Sequence, residues 1–414
     1  MRLEPQRLSH ARIPTSSMRL PQNDGTAVLD VSSQVETPAF VIDEGAIVGA
    51  VESAKSMLAG TGCRLLYALK ALSSGDVMRT LRPHVAGFAA SSLFEAELAR
   101  SVLGQEGSVH ITTPGLRPDE AKDLDGLCDY VALNSLNQLG SFSSVFRKAS
   151  IGVRVNPGLS FVKDARYNPC ARNSKLGVPM AQLARATDDL GSLERVVGVH
   201  FHGNCDASGF KPLLKTVRRL SKKLDGLLRR SSWVNVGGGY MFEPGTDPGP
   251  LHEAIALLRD RYNFEVFAEP GAALVRRAGH LVASVIDIAK ADSETLVYLD
   301  TSVNHMPEVY EYQFEPDVIG HTAKGKHWYT LVGSTCLAGD RFGRYAFDEP
   351  LCIGSRVVFS DMGAYTAVKA QMFNGVNRPT MYYLTTDKTL TVRKRFTYND
   401  FAGMWGEEVV DASL

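Results

Sequence analysis

Eight short apolar runs, each followed by a polar or helical stretch, constrain the fold of this chain more than any other feature. They fall at Arg64–Ala71, Val85–Ser91, Ser108–Pro114, Tyr130–Ser135, Ile151–Asn156, Val196–His202, Trp233–Val236 and Phe264–Glu269. Helical apolar spacing marks 45–60, 93–104, 179–190, 211–230 and 251–262 around them. Eight strand–helix units within about 240 residues predict an α/β fold, a (β/α)8 TIM-like barrel. A doubly wound open sheet shows the same alternation, and the count of eight favours the barrel. From residue 280 the texture changes. Leu281–Ala289, Thr295–Leu299, Trp328–Val332, Ser355–Phe359, Thr380–Leu384 and Leu390–Arg393 are short strand-like runs separated by turns, so 281–414 reads as a mostly β domain. Residues 1–36 hold scattered Arg, Ser and Pro with no apolar core of a secretory signal, and read as a flexible extension. The barrel is then expected over 37–280.

Composition narrows the function. The 45 basic and 45 acidic side chains cancel, which argues against a nucleic-acid binder with its basic face. No apolar run approaches the ~20 residues of a membrane span. The six cysteines contain no CxxC pair, so neither a zinc site nor a disulfide framework is expected, and a reducing, cytoplasmic location fits.

In a barrel the chemistry gathers where the strands end. The predicted strands end on Lys70, Ser91, Asn134 and Ser135, Arg154 and Asn156, His200 and His202, the run Gly237-Gly238-Gly239, and Glu269. Singly, each has a bland reading: a solvated lysine, a hydrogen-bonded core histidine, a glycine turn. Together on one rim they make chemical sense. Consecutive glycines let backbone N–H groups approach a phosphate. The apolar flanks of Lys70 should desolvate its amine and lower its pKa, and a free amine can form a Schiff base. A carboxylate at Glu269 can hold a ring nitrogen protonated, and an imidazole can stack on a flat ring. Phosphate, aldehyde and pyridine nitrogen describe pyridoxal 5′-phosphate. A carboxylate partner for the ring nitrogen makes a deep electron sink, which suits decarboxylation better than racemisation.

With these residues the chain resembles the fold-type III, alanine-racemase-like pyridoxal-phosphate decarboxylases, and among them the carboxynorspermidine/carboxyspermidine type. The resemblance runs from about residue 37 to 400. It is carried by TPAFVID (37–43), YALKA (67–71), YNPCARNSKLGV (167–178), GVHFHGNCD (198–206), VGGGY (236–240), EPGAA (269–273), NHMPEV (304–309), GSTCLAGDRFG (333–343), DMGAYT (361–366) and MFNG (372–375). It implies that Lys70 joins the cofactor and that His202 stacks on its face. Gly237, Gly238, Gly239 and Tyr365 would hold the phosphate, and Glu269 would pair with the ring nitrogen. Cys336 would return the proton after CO2 leaves, with Asp340 beside it for a substrate amine. In this family these two reach the partner's site, so a homodimer with shared sites is implied. Arg154 and Ser174 are further site candidates. The family's usual HMPD reads HMPE here, ending on Glu308. Glu308, Glu311, Asp340 and Asp206 are candidates to hold a distal ammonium, and His305 lies in the same segment. Ala272-Ala273 follow EPG, so the phosphate arginine that ornithine-type decarboxylases carry there is missing, and the phosphate leans on Tyr365 and backbone. No metal is expected.

The leading expectation is removal of the α-carboxyl from a carboxylated polyamine. Another diamino acid is the alternative: diaminopimelate, ornithine, lysine or a specialised-metabolite precursor. A racemase would need a second base, which Tyr310 or His305 could supply, and Glu269 argues against it. An inactive decarboxylase-like decoy is opposed by Lys70, Glu269 and Cys336 all being present.

Overall fold

The computed structural model describes residues 26–162, 164–186 and 193–407. The first strand, β1 (Ala39–Asp43), stays outside the barrel. The barrel strands are β2 (Arg64–Ala68), β3 (Gly87–Ala90), β4 (Ser108–Ile111), β5 (Tyr130–Leu133) and β6 (Ser150–Asn156). A two-residue strand, β7 (Val178–Pro179), hangs on the end of β6. β8 (Gly198–Phe201), β9 (Trp233–Asn235) and β10 (Glu265–Ala268) complete the ring. Every pairing around the ring is parallel, and it closes where β10 returns to β2 with Phe267 opposite Arg64 and Ala268 opposite Leu65. The expected eight-stranded barrel is therefore present.

Local rules place the helices around it. Asp43 caps the helix Glu44–Leu58, its carboxylate accepting from Ala46 N–H, and Ile47, Val51, Ala54 and Leu58 turn one buried stripe to the core. Ser92 caps Leu93–Leu103 by accepting from Glu95 N–H, while the Glu95 carboxylate accepts from Ser91 N–H. The helix expected over 211–230 is two helices, Lys211–Lys223 and Asp225–Arg230, because Leu224 leaves helical geometry. The helix expected over 179–190 forms as Met180–Ala186, and its last residues lie outside those described.

The lower barrel is filled rather than hollow. Trp233 lies across it, and a Cβ on Gly198 or Gly152 would meet its ring at 1.8 and 2.4 Å, so only glycine fits at either place. Its indole N–H donates to Ser150 Oγ at 2.9 Å. Leu66, Ala132 and Phe267 pack with it, and large-to-small substitutions put a buried side chain of that size at about 3–5 kcal/mol. This plug leaves the C-terminal mouth as the open end.

The second unit is the expected β domain, with a corrected boundary. Its sheet runs β14 (Arg341–Phe347), β13 (His327–Val332), β12 (Glu294–Leu299), β11 (Gly279–Ala291), β1, β16 (Thr380–Leu384) and β17 (Leu390–Lys394), with β15 (Arg356–Phe359) also on β11. β1 was expected in the barrel, but it lies antiparallel to β11 and parallel to β16, fully buried. A short strand buried on both faces carries no sign of which sheet it joins. The flexible reading of 1–36 is also corrected where it can be seen. Thr26–Ser32 is helical, and Val28, Val31 and Val35 are buried against Val41, Val282, Val358 and Leu384. Residues 1–25 lie outside those described.

Candidate active site

The barrel registers put a polar layer above the Trp233 plug. Arg154 is level with His200, and His200 with Asn235, so these side chains share the inner face. Glu269 follows β10 and is 8% exposed. Its carboxylate accepts from two donors: His200 Nε2 at 3.0 Å on one oxygen, and Asn235 Nδ2 at 2.9 Å on the other. Burial works to protonate this carboxyl, yet the His200, Lys70 and His202 side chains hold its pKa well below the usual carboxylate range. Burial pushes the pKa of His200 down, which favours a neutral imidazole donating through Nε2, and its Nδ1 has no partner among the described residues. Asn235 also accepts from Gly237 N–H at 2.9 Å, which ties the carboxylate to the glycine run. Neither His200 nor Asn235 was assigned this part from the sequence. The available signal was a polar residue facing inward on a strand whose neighbouring inward residue, Trp233, is core.

His202 packs beside the same carboxylate, its Nδ1 4.0 Å from Glu269. That nitrogen accepts from Gly238 N–H at 3.1 Å, so the ring proton sits on Nε2. Burial, then the charges of Lys70 and Arg154, push its pKa down. The glycines are sterically required. A Cβ on Gly237, Gly238 or Gly239 would meet the backbone carbonyl of Phe201, Glu269 or Asn204 at 2.4, 2.4 and 2.1 Å. Gly237 and Gly238 N–H are engaged within the chain, so of the three only the Gly239 N–H has no partner among the described residues. The expected three-glycine phosphate cradle is thus narrower than the sequence suggested.

Lys70 sits in a single 3-10 turn, Leu69–Ala71, that buries both neighbours and leaves Lys70 exposed at the mouth. The expected desolvation by its apolar flanks does not occur, because the turn sends those flanks into the core and the lysine outward. Tyr365 reaches the same mouth: its backbone N–H donates to Ala71 at 2.8 Å, and it holds φ +66°. Burial, with Asp206 and Cys205 nearby, pushes its pKa up to about 12. Arg154 is buried above the plug with no hydrogen bond or ion pair among the described residues, and desolvation lowers its pKa.

The remaining sequence candidates are engaged by partners within the chain. Cys336 is exposed, its N–H and thiol both 3.0–3.1 Å from Asn374 Oδ1. No hydrogen bond or ion pair among the described residues joins its loop to Lys70, His202 or Glu269. Asp340 is 3% exposed and does not open to a ligand. Its oxygens accept from Val303 N–H at 2.8 Å, Thr335 N–H at 3.1 Å and the Thr335 hydroxyl, which fixes the Cys336 loop. Ser174 is likewise engaged within its own loop, donating to Pro169 and accepting from Leu176 N–H. His305 is fully buried against Thr301. Glu311 pairs with Lys369, and Asp206 with Arg276.

Glu308 is buried too, one oxygen accepting from the Thr366 hydroxyl and the other without a partner among the described residues. Desolvation raises its pKa to about 7, from an ordinary value near 4.5. A raised carboxyl pKa means the folded state holds the proton longer than the unfolded one. Its contribution to stability is present below about pH 4.5 and is lost as pH rises to about 7. Glu308→Gln should remove that slope. Urea unfolding of both proteins between pH 5 and 8 should show the variant gaining on the parent by roughly 2–3 kcal/mol. Parallel profiles would refute it.

The family model for the pyridoxal-dependent decarboxylases, pyridoxal binding domain, matches residues 44–276, the barrel with Lys70 and Glu269. The chain belongs to the pyridoxal-dependent decarboxylases. It is therefore a carboxy-lyase whose cofactor is pyridoxal phosphate. It is 31% identical to the carboxynorspermidine/carboxyspermidine decarboxylase of Campylobacter jejuni, over 89% of this chain and 98% of that one. It is 33% identical to the carboxyaminopropylagmatine decarboxylase of Synechocystis, over 90% and 96%. The crystal structure of carboxynorspermidine decarboxylase from Campylobacter jejuni, complexed with norspermidine, superposes with TM-score 0.81 at 29% identity, over 89% of this decarboxylase and all of that chain. No helix among the described residues is long and apolar enough to cross a membrane.

Proposed function

We propose that this decarboxylase removes the α-carboxyl group of a carboxylated polyamine, of the carboxynorspermidine, carboxyspermidine or carboxyaminopropylagmatine type. The observation that carries this reading is the match over 89–90% of the chain, at 31–33% identity, to relatives named for such substrates. The residues at the mouth fit the cofactor. Glu269 is a buried carboxylate kept ionised by its neighbours, Lys70 is exposed at the opening, Tyr365 is bonded to the adjacent Ala71, and the Gly239 N–H has no partner among the described residues.

Bound pyridoxal phosphate supplies the electron sink that takes up the electron pair left by departing CO2. The chain's own side chains do the rest. Lys70 would hold the cofactor by its amine and would yield it to the substrate amine. Glu269 holds the proton on the ring nitrogen, fixed by His200 and Asn235. His202, its ring oriented by Gly238 N–H, would pack against the cofactor. Tyr365 and Gly239 N–H hold the phosphate. Cys336 of the partner subunit returns the proton at Cα in a homodimer with shared sites, and Asp340 positions its loop. Six unpaired thiols suit a cytoplasmic location.

The test is direct. The purified enzyme with pyridoxal phosphate is given carboxynorspermidine, carboxyspermidine, carboxyaminopropylagmatine, diaminopimelate, ornithine and lysine, and CO2 and amine are measured. A carboxylated polyamine should give the highest kcat/KM. Preference for diaminopimelate or a simple diamino acid would overturn the substrate reading.

A further inference from the structure

Ala272-Ala273 after the Glu269-Pro270-Gly271 turn leave the phosphate end of the cofactor without an arginine at that place, although a phosphate dianion is best held by a forked cation. We propose that Arg276, further along the same segment and held by Asp206, supplies that cation and binds the cofactor phosphate. This rests on the cofactor placement given above.

Arg276 is tied to each segment that offers a group to the phosphate. Its Nη2 donates to both Asp206 oxygens, at 2.8 and 2.7 Å. Asp206 adjoins the Asn204–Cys205 backbone against which Gly239 is packed, and Ala207 N–H donates to Gly239 at 2.8 Å. On its other side, the Arg276 carbonyl accepts from Gly363 N–H at 3.0 Å, in the loop that ends on Tyr365. The segments that carry Gly239 and Tyr365 are therefore both bonded to the Arg276–Asp206 pair or its backbone, and Tyr365 is among the groups that act on the Arg276 charge. Its Nε and Nη1 donate to nothing among the described residues, so the outer part of the fork is available. Asp206 and Tyr365 hold left-handed backbone at φ +53° and +66°. Strain of that kind in non-glycine residues concentrates at ligand sites. The carboxylate of Asp206 alone would repel a phosphate, and Arg276 neutralises it. Arg277, the next residue, engages Glu243 at 3.0 Å instead, which makes it a matched control.

The experiment compares pyridoxal phosphate with pyridoxal, which lacks the phosphate but carries the same aldehyde. Cofactor is stripped from the purified enzyme, and each aldehyde is titrated back by visible absorbance and quenching of tryptophan fluorescence. Arg276→Ala should weaken pyridoxal phosphate about 10–100-fold while moving pyridoxal less than about twofold. Arg276→Lys should recover part of the loss, because it keeps the charge but not the fork. Arg277→Ala should change neither affinity. Arg276→Gln carries the same expectation as Ala and keeps more of the stem should the Ala variant not fold. Equal losses for both aldehydes, or a pyridoxal phosphate affinity within about twofold of the parent, would overturn the proposal and leave the pair a strut of the barrel rim. A parent enzyme that took up neither aldehyde would instead sink the cofactor placement itself.

Discussion

Glu269→Gln should retain the cofactor yet release CO2 about 10²–10⁴ times more slowly, a loss of ~3–5 kcal/mol of transition-state stabilisation. A neutral amide cannot hold a positive charge on the ring nitrogen, and that charge is what makes the sink deep. The fold should survive the change. Glu269 now accepts from His200 and Asn235, and an amide would turn its NH2 toward one of these donors. His200 can meet this by moving its ring proton to Nδ1, which has no partner among the described residues, so that Nε2 accepts. Single-turnover CO2 release, measured beside the visible absorbance of bound cofactor, separates chemistry from binding. A variant with near-parental turnover would show that the carboxylate is not the electron-sink partner.

The second large effect is recovery of activity from two dead proteins. Lys70→Ala and Cys336→Ala should each form no measurable amine product. Dissociated, mixed equally and reassociated, they should pair at random, so about half the dimers are mixed. If each site takes Lys70 from one chain and Cys336 from the other, a mixed dimer holds one intact and one doubly damaged site. Amine production should then approach about a quarter of the parent value. The arrangement within one chain motivates this: Cys336 is exposed on a loop that Asp340 and Asn374 fix, with no hydrogen bond or ion pair to the barrel mouth among the described residues. Absence of recovery, with subunit exchange verified by differential tags, would put the whole site inside one chain.

How much of this was legible in the sequence depends on the kind of signal. The barrel was legible because eight buried strands and their amphipathic helices repeat the same pattern. The rim followed from it, since strand ends are fixed once strands are. The span of 37–280 took in β1 because Ala39–Asp43 is buried on both faces, and which sheet such a strand joins is a matter of long-range pairing. β14 was missed because it begins inside the GSTCLAGDRFG motif, whose glycines read as turn. The acidic candidates share a feature that residue type does not reveal. Residue type says what Asp340, Glu308 and Asp206 could bind, but not that Thr335, Thr366 and Arg276 already bind them. The Lys70 desolvation argument used neighbours in sequence, whereas the 3-10 turn separates the lysine from them in space.

Two buried carboxyl groups move in opposite directions, because neighbours outweigh burial at Glu269 and do not at Glu308. Glu269 has donors on both oxygens and stays ionised, while Glu308 has one donor and is raised to about 7. The ionised one stands at the barrel mouth, where a ring nitrogen can use it.

The central claim is that this mouth, with Lys70 at its opening, holds the cofactor. Borohydride reduction of the enzyme as isolated, or after reconstitution with pyridoxal phosphate, followed by digestion and mass spectrometry, tests it most directly. The account predicts one pyridoxyl-modified peptide, with the modification on Lys70. A modification on any other lysine, or an unmodified Lys70 in reconstituted enzyme, would contradict it.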